Sequence, residues 1–523
     1  MYISLARNMK DTFYSIIDRI QDSYDGQMPF LPFSNILSLR RELEGTDAEI
    51  STWGCDGYYD CTKQWSETCD TYIGAVVRVT SIDEARTVVH FATAHEIPLA
   101  VKGGGCSTSG ASTTHGGIVL DLSKLRKVHV EPDSRVVIAQ CGALWEDIDV
   151  AAAQYKLAVV GSTLNQIGAA GATLGGGYGW LTGQYGLAID NLLWAKMILA
   201  DGSVVTASEE EHPDLFWAIR GAGQSFGVAV ELGFRAHKQD HPVFAGTLLF
   251  SADKLPGIVN FANQFETLTN GQQGFWFGFT MLPSMAQCSI LVAVFYNGTQ
   301  TAAEQFFSPL LSLGSLMDGT QMLPYDSLNS ILHTVDTLAC RERLSRFNTT
   351  YPADTSVGPR KSLRGSNVTL PLDIDFVLSI YNGFNSILND CPQTRDSRLF
   401  FELLPNIQVT KVSNDATAFA SRGPYYNVST LFRWNETRLD ARIRTLQEDL
   451  MNQIGTRAGI TRQPNYSMSR HGTGIYANYA GRDLPIKAIF GANLPRLREL
   501  KKKYDPHNTF RKWHNINAPV NSL

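Results

Sequence analysis

Two glycine-rich stretches carry the clearest chemical signal in the sequence. In the first, VKGGGCSTSG (101–110), three successive glycines follow a predicted strand and let the backbone approach an anion, with several N–H groups directed at it. A diphosphate is the natural ligand of such a loop. In the second, VVGSTLNQIGAAGATLGGGYGW (159–180), small residues leave room for a flat, extended ligand. Either stretch alone is equally consistent with tight turns, whereas the pair favours a ligand site.

Other known binding patterns do not explain these stretches. The chain contains no G-x-x-x-x-G-K-[ST] sequence, and neither stretch belongs to a Rossmann unit with a trailing acidic residue. His237 and His241 have H-x-x-x-H spacing, but they end a strand candidate, where this spacing does not place both on one helical face. No metal site is predicted.

Hydrophobic periodicity predicts the elements that position the first stretch. A strand over 73–79, a helix over 81–96 with a serine N-cap and a strand over 97–105 form a β-α-β beginning. Further strands and one helix are predicted over 117–123, 127–132, 135–143 and 145–155, the last being the helix. The mixture predicts an α+β fold.

The character of the sequence changes after residue 242. Aromatic-rich strand candidates such as GFWFGFTML (274–282) alternate with helix-like stretches, and the tail contains a basic helix that ends at Asp505-Pro506. We therefore divide the chain into an N-terminal segment (1–71), a glycine-rich domain (72–238), an aromatic-rich domain (239–465) and a C-terminal segment (466–523).

Composition excludes some partners. The net charge is −5 and no run of basic residues occurs, so the chain lacks the electrostatic signature of a protein that binds nucleic acid or an anionic membrane. The chain contains no stretch of eighteen apolar residues, so no membrane-spanning helix is predicted. Residues 1–20 suit an amphipathic helix and not a secretory signal, so we expect a cytoplasmic or other intracellular location. Six sequons and a cysteine cluster (Cys55, Cys61, Cys69), which allows a local disulfide, would instead suit secretion.

Four segments, in order, resemble the berberine-bridge-enzyme-like branch of the vanillyl-alcohol-oxidase superfamily of FAD proteins. They are VKGGGCSTSG (101–110), IGAAGATLGGGYGWLTGQYGLAIDNLL (167–193), ILADGSVVTASEEEHPDLFWAIRGAGQSFGVAVELGFRAH (198–237) and YANYAGRD (476–483) with FGANLPRLRELKKKYDPHNTF (490–510). Together they cover roughly two fifths of the chain, too much for coincidence.

The resemblance implies an α+β architecture. A PCMH-type FAD-binding domain of two α+β subdomains would hold the adenine and diphosphate, and the C-terminal segment would return to it. An antiparallel sheet flanked by helices in the second domain would cover the isoalloxazine ring. The residues expected to bind FAD are Gly103, Gly104, Gly105, Cys106, Ser107, Gly110, Gly168, Gly171, Gly175, Gly227, Val228 and Asn478.

The chain departs from the family where the flavin is usually attached. Cys106 occupies the place of the histidine that is joined to the flavin ring, and Leu164 stands near the second, cysteine linkage of bicovalent relatives. Cys106 either forms a thioether to the flavin or is a small buried thiol beside a noncovalent flavin. The second interpretation is favoured.

The site beside the substrate also departs from the family. Ser429 aligns with the strand position that often holds a Glu or Gln, and Thr108 replaces an active-site tyrosine of many relatives. In similar enzymes the C-terminal signature places its first tyrosine near the flavin and substrate, so the resemblance makes Tyr476 the better acid/base candidate, with aromatic packing as the alternative. Asn427 would share a strand face with Ser429, so both could point into the cavity. Glu402 could face the cavity, but a solvated or salt-bridged position at the end of a strand is favoured.

Three functions are consistent with these residues. The first is an FAD-dependent oxidase or dehydrogenase that transfers hydride from a small organic molecule to the flavin, tailors a natural product and passes electrons to oxygen. The second function is a redox-silent cyclase or isomerase, and the third is a noncatalytic shell. A carbohydrate oxidase is an alternative within the first class. Outside the reaction itself, Asp190 and Asn191 are expected to brace the FAD domain. Substrate identity and oligomeric state are left open.

Overall fold

The computed structural model describes residues 31–282, 285–331 and 359–519. The helix predicted over 1–20 and Cys340 lie outside the described residues. Helices α1 to α15 are, in chain order, Phe33–Glu42, Tyr58–Thr62, Ile82–Ala94, Trp145–Ala153, Ala169–Leu174, Thr182–Tyr185, Pro213–Ala222, Leu255–Leu268, Gln300–Leu311, Tyr325–Leu328, Ile374–Asp390, Asp440–Ala458, Met468–His471, Ile486–Phe490 and Leu494–Tyr504.

Strands β1 to β18 are, in chain order, Glu49–Thr52, Ala75–Arg78, Leu99–Lys102, Ile118–Asp121, Val128–Glu131, Val136–Gln140, Leu157–Val159, Leu192–Ile198, Val204–Ser208, Val228–Lys238, Val243–Phe250, Gln273–Thr280, Ser289–Tyr296, Met317–Asp318, Gln321–Leu323, Arg360–Val368, Arg398–Leu403 and Tyr426–Trp434. They form three sheets in the described part of the chain.

The first sheet confirms the predicted β-α-β beginning. Its order is β1-β2-β4-β3, with β2, β4 and β3 parallel and β1 antiparallel to β2. Helix α3 begins with a capping box, in which the Ser81 hydroxyl accepts from the Glu84 N–H and the Glu84 carboxylate accepts from the Ser81 N–H. The first glycine loop leaves the carboxyl end of β3, the parallel strand at the edge of this sheet.

The second sheet has the order β5-β6-β10-β8-β9, with β7 paired to β10. Its strands are antiparallel, and a single apolar core joins it to the first sheet. The second glycine stretch lies between β7 and β8 and contains the short helix α5. These two sheets with their helices make the α+β half of the molecule that was predicted.

The third sheet is antiparallel and has the order β14-β11-β13-β12-β17-β18-β16, with β15 paired to β11. One face carries Phe275, Phe277, Phe279 and Phe401, which pack in a second core against helices α8, α9 and α11. The opposite face of β12, β17 and β18 is directed at the glycine stretches. The third sheet is therefore the antiparallel sheet that was expected to cover the isoalloxazine ring.

A buried lysine holds the C-terminal segment against the first half of the molecule. Lys501 on α15 has no exposed side-chain surface and donates to Asp505 at 2.6 Å, to the Ser225 carbonyl at 2.5 Å and to the Phe510 carbonyl at 2.7 Å. All three ammonium protons are therefore used. The contact with Ser225 ties the chain after residue 500 to the turn that precedes β10.

The cysteine cluster forms no disulfide. Cys55, Cys61 and Cys69 are all free thiols, and Cys61 accepts from Arg78 at 3.1 Å. Among the described residues, no helix is long and apolar enough to cross a membrane.

Replacing Lys501 with Met should destabilise the protein strongly, because it leaves the Asp505 carboxylate buried without its counter-charge. Losing one partner of a buried ion pair costs about 3–5 kcal/mol. The thermal unfolding midpoint measures the loss. Lys502→Met, at the exposed neighbouring position, is the matched control. Equal midpoints for the two variants would show that Lys501 is not an anchor.

Candidate active site

A single cavity of about 680 Å³ lies between the two glycine stretches and the third sheet. Its volume falls in the range of small-molecule sites, roughly 300–1,000 Å³. Residues from all three sheets and from the C-terminal segment line it. This cavity is therefore the centre of the candidate site.

The backbones of the two glycine stretches touch at Gly104 and Gly168. A Cβ atom on either residue would lie 2.6 Å from the backbone nitrogen of the other, closer than real Cβ contacts. Gly105, with φ of 67°, adopts a conformation that side chains disfavour. Glycine is thus required for the loops to meet at the wall of the cavity.

Two buried hydroxyls in the cavity wall lack partners. Thr113 and Thr114 are 5% and 2% exposed, and the Oγ1 atom of each makes no hydrogen bond within the described part of the protein. Buried polar atoms are rarely left unpaired without a reason. The close glycine contact and these hydroxyls fit a bound polar cofactor such as FAD.

Most of the residues expected to bind FAD line this one cavity. The exception is Gly175, where a Cβ would lie 2.1 Å from the Asn478 Oδ1 atom, so this glycine makes room for Asn478 and does not face the cavity. The Ser107 hydroxyl accepts from the Ser109 and Ala111 N–H groups and therefore closes the loop on itself. Ser107 nevertheless lines the cavity.

Cys106 lines the cavity as a thiol. Its Sγ atom lies 3.4 Å from the Gly104 carbonyl and 3.7 Å from the Gln166 carbonyl, both of which are acceptors. Burial raises the pKa of this thiol, outweighing the Gly168 N–H that lowers it. The surroundings therefore favour the protonated, less nucleophilic form. Leu164 also lines the cavity.

Glu402 is not the solvated strand-end residue that was expected. It lies on β17, an interior strand between β12 and β18, and is 3% exposed with its carboxyl group at the cavity. The Ser429 hydroxyl donates to it at 2.5 Å and the Tyr479 hydroxyl at 3.1 and 3.2 Å. Burial raises the pKa of Glu402 to about 7, although both hydroxyls lower it.

Tyr479 reaches Glu402 because the strand opposite it carries a glycine. A Cβ on Gly365 of β16 would lie 2.7 Å from the Cβ of Tyr479. Any side chain at residue 365 would therefore move the phenol away from the carboxyl. Burial and the neighbouring Glu402 raise the pKa of Tyr479 well above its usual value, so this phenol is a hydrogen-bond donor.

Tyr476 also lines the cavity, but it is held differently. Its oxygen accepts from the Gly177 N–H at 3.2 Å and from Asn478 at 2.9 Å. Its ring packs edge-on against Tyr178 and Tyr479, with centroids 5.0 and 4.7 Å away. Burial raises the pKa of Tyr476, so at neutral pH it stays a protonated phenol and cannot accept a proton.

The remaining predicted site residues fall into two groups. Ser429 lines the cavity and acts on Glu402, and Thr108 lines it while accepting from the Leu363 N–H at 3.1 Å. Asn427 is buried on the same strand but does not line the cavity.

Asp190 and Asn191 brace the fold as predicted. The Asp190 carboxylate pairs with the fully buried Arg422 at 2.6 and 3.0 Å. The Asn191 amide donates to the Tyr185 and Leu187 carbonyls, and its oxygen lies 2.8 Å from His237 Nε2. His237 therefore belongs to this bracing network.

The sheet face above the cavity combines apolar side chains with charged ones. Trp276 is the register partner of Glu402, and Phe400 is the register partner of Ser429. Leu431 continues the face, and Arg398 and Arg433 line its far end. An organic ring would find apolar contacts next to one titratable carboxyl.

Glu402 was expected to be solvated, and Tyr479 was not among the predicted site residues. The alternation of Arg398, Phe400 and Glu402 places all three on one strand face. The sequence does not reveal that β17 is an interior strand, and this decides whether the acid is buried.

Comparisons with known proteins agree with the geometry. A family model described as "FAD binding domain" matches residues 73–208, and one described as "Berberine and berberine like" matches residues 475–517. The FAD-linked oxidoreductase pgmH of Aspergillus terreus is 30% identical over 489 residues, which are 92% of this chain and 96% of that protein. The FAD-linked oxidoreductase hasG of Aspergillus fumigatus is 29% identical over 491 residues, 91% and 97% of the two chains.

A solved structure shows the same fold. The BBE-like 1 protein of Physcomitrella patens has a TM-score of 0.75 at 21% identity, and the match covers 93% of this chain and all of that one. The expected α+β, PCMH-type architecture, the family resemblance and the FAD cofactor are confirmed by these matches.

Replacing Glu402 with Gln should stabilise the protein at alkaline pH. The folded-state pKa of about 7 lies above the usual 4.5, so the stability of the wild type falls as pH rises from about 4.5 to 7. Gln stays neutral, so the gain approaches about 3 kcal/mol above pH 7. Urea unfolding at pH 5 and pH 8 measures it.

Glu44→Gln, at an exposed position, is the matched control and should follow the wild type at both pH values. An advantage of Glu402→Gln that does not grow between pH 5 and pH 8 would refute a raised pKa.

Proposed function

Because the chain belongs to the berberine-bridge-enzyme-like FAD-linked oxidoreductases, we propose that it oxidises a hydroxylated aromatic small molecule, with Glu402 as the proton acceptor. The observation that carries the proposal is the carboxyl of Glu402, buried at the cavity with a pKa of about 7. A general base is most effective when its pKa is near the working pH.

When bound, FAD supplies the acceptor for the hydride that leaves a substrate carbon. Glu402, in its carboxylate form, takes the proton of the substrate hydroxyl. Ser429 and Tyr479 donate hydrogen bonds that stabilise the carboxylate and fix its direction. They are positioning residues for the base.

The expected roles of Tyr476 and Ser429 change accordingly. A serine hydroxyl has a pKa far above neutral, and here it donates to a carboxylate instead of accepting a proton. Tyr476 keeps a place in the wall, where it supports the ring of Tyr479. Asn427 is assigned no role because it lies outside the cavity.

The substrate class follows from the cover of the cavity. The sheet face that carries Glu402 also offers apolar contacts from Trp276, Phe400 and Leu431, of which the first two are flat aromatic rings. Such a surface suits an aromatic natural product, and the proposed role is the tailoring of such a molecule. Oxygen is proposed to take up the electrons, which would release hydrogen peroxide. An oligosaccharide oxidase is the alternative, and peroxide formation from oligosaccharides would reveal it.

We propose further that FAD is bound noncovalently. The Cys106 thiol is held between two carbonyl acceptors with its pKa raised, and the second linkage position is Leu164. The thioether would require the thiolate that these surroundings disfavour.

The rate constant for flavin bleaching by substrate under anaerobic conditions should depend on the charge of Glu402. It should rise about tenfold per pH unit below pH 7 and level off above it, because only the carboxylate accepts a proton. Ser429→Ala should move the midpoint upward by roughly one unit, since a hydrogen bond that stabilises the charge is lost. Stopped-flow absorbance gives the profile.

Ser421→Ala removes a buried hydroxyl that contacts Tyr425 outside the cavity, and its profile should match the wild type. A profile that Glu402→Gln leaves unchanged would rule out Glu402 as the base. Turnover of the substrate without bleaching would instead favour a redox-silent reaction.

Acid denaturation should release all of the flavin as free FAD. Both the wild type and Cys106→Ser should lose the yellow chromophore from the precipitated chain, because no covalent bond is formed at either linkage position. Absorbance of the supernatant measures the released fraction. Colour that stays with the wild-type chain and leaves Cys106→Ser would establish a thioether.

A further inference from the structure

Two cationic side chains of the C-terminal segment line the cavity and have no acidic partner among the described residues. Arg482 is exposed at the rim and Lys512 is half-buried. Within the described part of the protein, neither forms an ion pair. The neighbouring Asp483 is already paired with Arg364 at 2.7 Å.

Arg482 lies against the end of the first glycine loop. Gly110 has φ of 72°, and a Cβ there would lie 2.6 Å from the Arg482 Nη2 atom. The guanidinium therefore covers the last residue of the loop that is expected to hold the diphosphate.

Lys512 is brought to the same region by the anchor of the C-terminal segment. Lys501 donates both to the Phe510 carbonyl, two residues before Lys512, and to the Ser225 carbonyl, two residues before Gly227. Gly227 was expected to bind FAD and lines the cavity. Burial lowers the pKa of Lys512, and the positive charges of Arg482 and Arg511 lower it further.

Two orphan hydroxyls complete this wall. Thr113 and Thr114 follow Gly110 by three and four residues and line the same cavity with unpartnered Oγ1 atoms. A diphosphate at this wall would neutralise both cations and accept from both hydroxyls.

We propose that Arg482 and Lys512, with the hydroxyls of Thr113 and Thr114, form a clamp on the diphosphate of FAD. The two positive charges offset the two negative charges of the diphosphate. The C-terminal segment thus retains the cofactor by charge in a chain that lacks the usual linkage residues. The clamp rests on FAD binding and is independent of which residue acts as the base.

Serial dilution of the holoprotein, with free FAD followed by fluorescence, measures the clamp. The Cys106→Ser background ensures that retention reports noncovalent contacts alone. Arg482→Gln and Lys512→Gln should each raise the Kd for FAD roughly tenfold, and each should flatten its dependence on salt, because a charge-assisted contact is lost. Arg482→Lys, which keeps the charge, should restore most of the affinity.

Lys502→Gln is the matched control. Lys502 is exposed on α15 and does not line the cavity. Its Kd and salt dependence should equal those of the parent. Arg482→Gln and Lys512→Gln proteins that behave like this control would overturn the clamp while leaving the oxidoreductase assignment intact. A Cys106→Ser parent that retains no FAD would overturn it as well, since charge alone would then not hold the cofactor.

Discussion

A carboxyl group buried at the cavity is the constraint on which the rest of the site depends. Glu402 is acceptable in an interior strand only because Ser429 and Tyr479 donate to it. Tyr479 comes from the C-terminal segment, and it fits only because residue 365 is a glycine. The segment is in turn held by Lys501, whose ammonium group reaches back to the FAD-binding half.

The same segment serves the cofactor and the base. Tyr479 contacts Glu402, while Arg482, three residues later, covers the end of the first glycine loop. A displacement of the C-terminal segment would therefore loosen the diphosphate wall and remove a hydrogen bond from the base together. This coupling is a physical reason for the packing of the C-terminal segment against the FAD-binding half of the molecule.

The sequence was sufficient for the local elements and for most of the residues of the glycine stretches that line the cavity. The Ser81 cap, the β-α-β beginning and the glycine contacts depend on short segments whose chemistry is visible in the residues themselves. The base depends on which strands are neighbours. Glu402 is buried because β12 and β18 flank its strand, and Gly175 accommodates Asn478, some 300 residues away in sequence. Such long-range pairings leave no local signal.

The charge of Glu402 itself can be measured by infrared difference spectroscopy. Spectra of the FAD-loaded wild type, with those of Glu402→Gln subtracted, isolate the carboxyl band of this one residue as pH is varied. The protonated band should disappear with a midpoint near pH 7. A midpoint near the ordinary value of 4.5, or a carboxyl that stays protonated throughout the range in which the enzyme reduces its flavin, would contradict Glu402 as the proton acceptor.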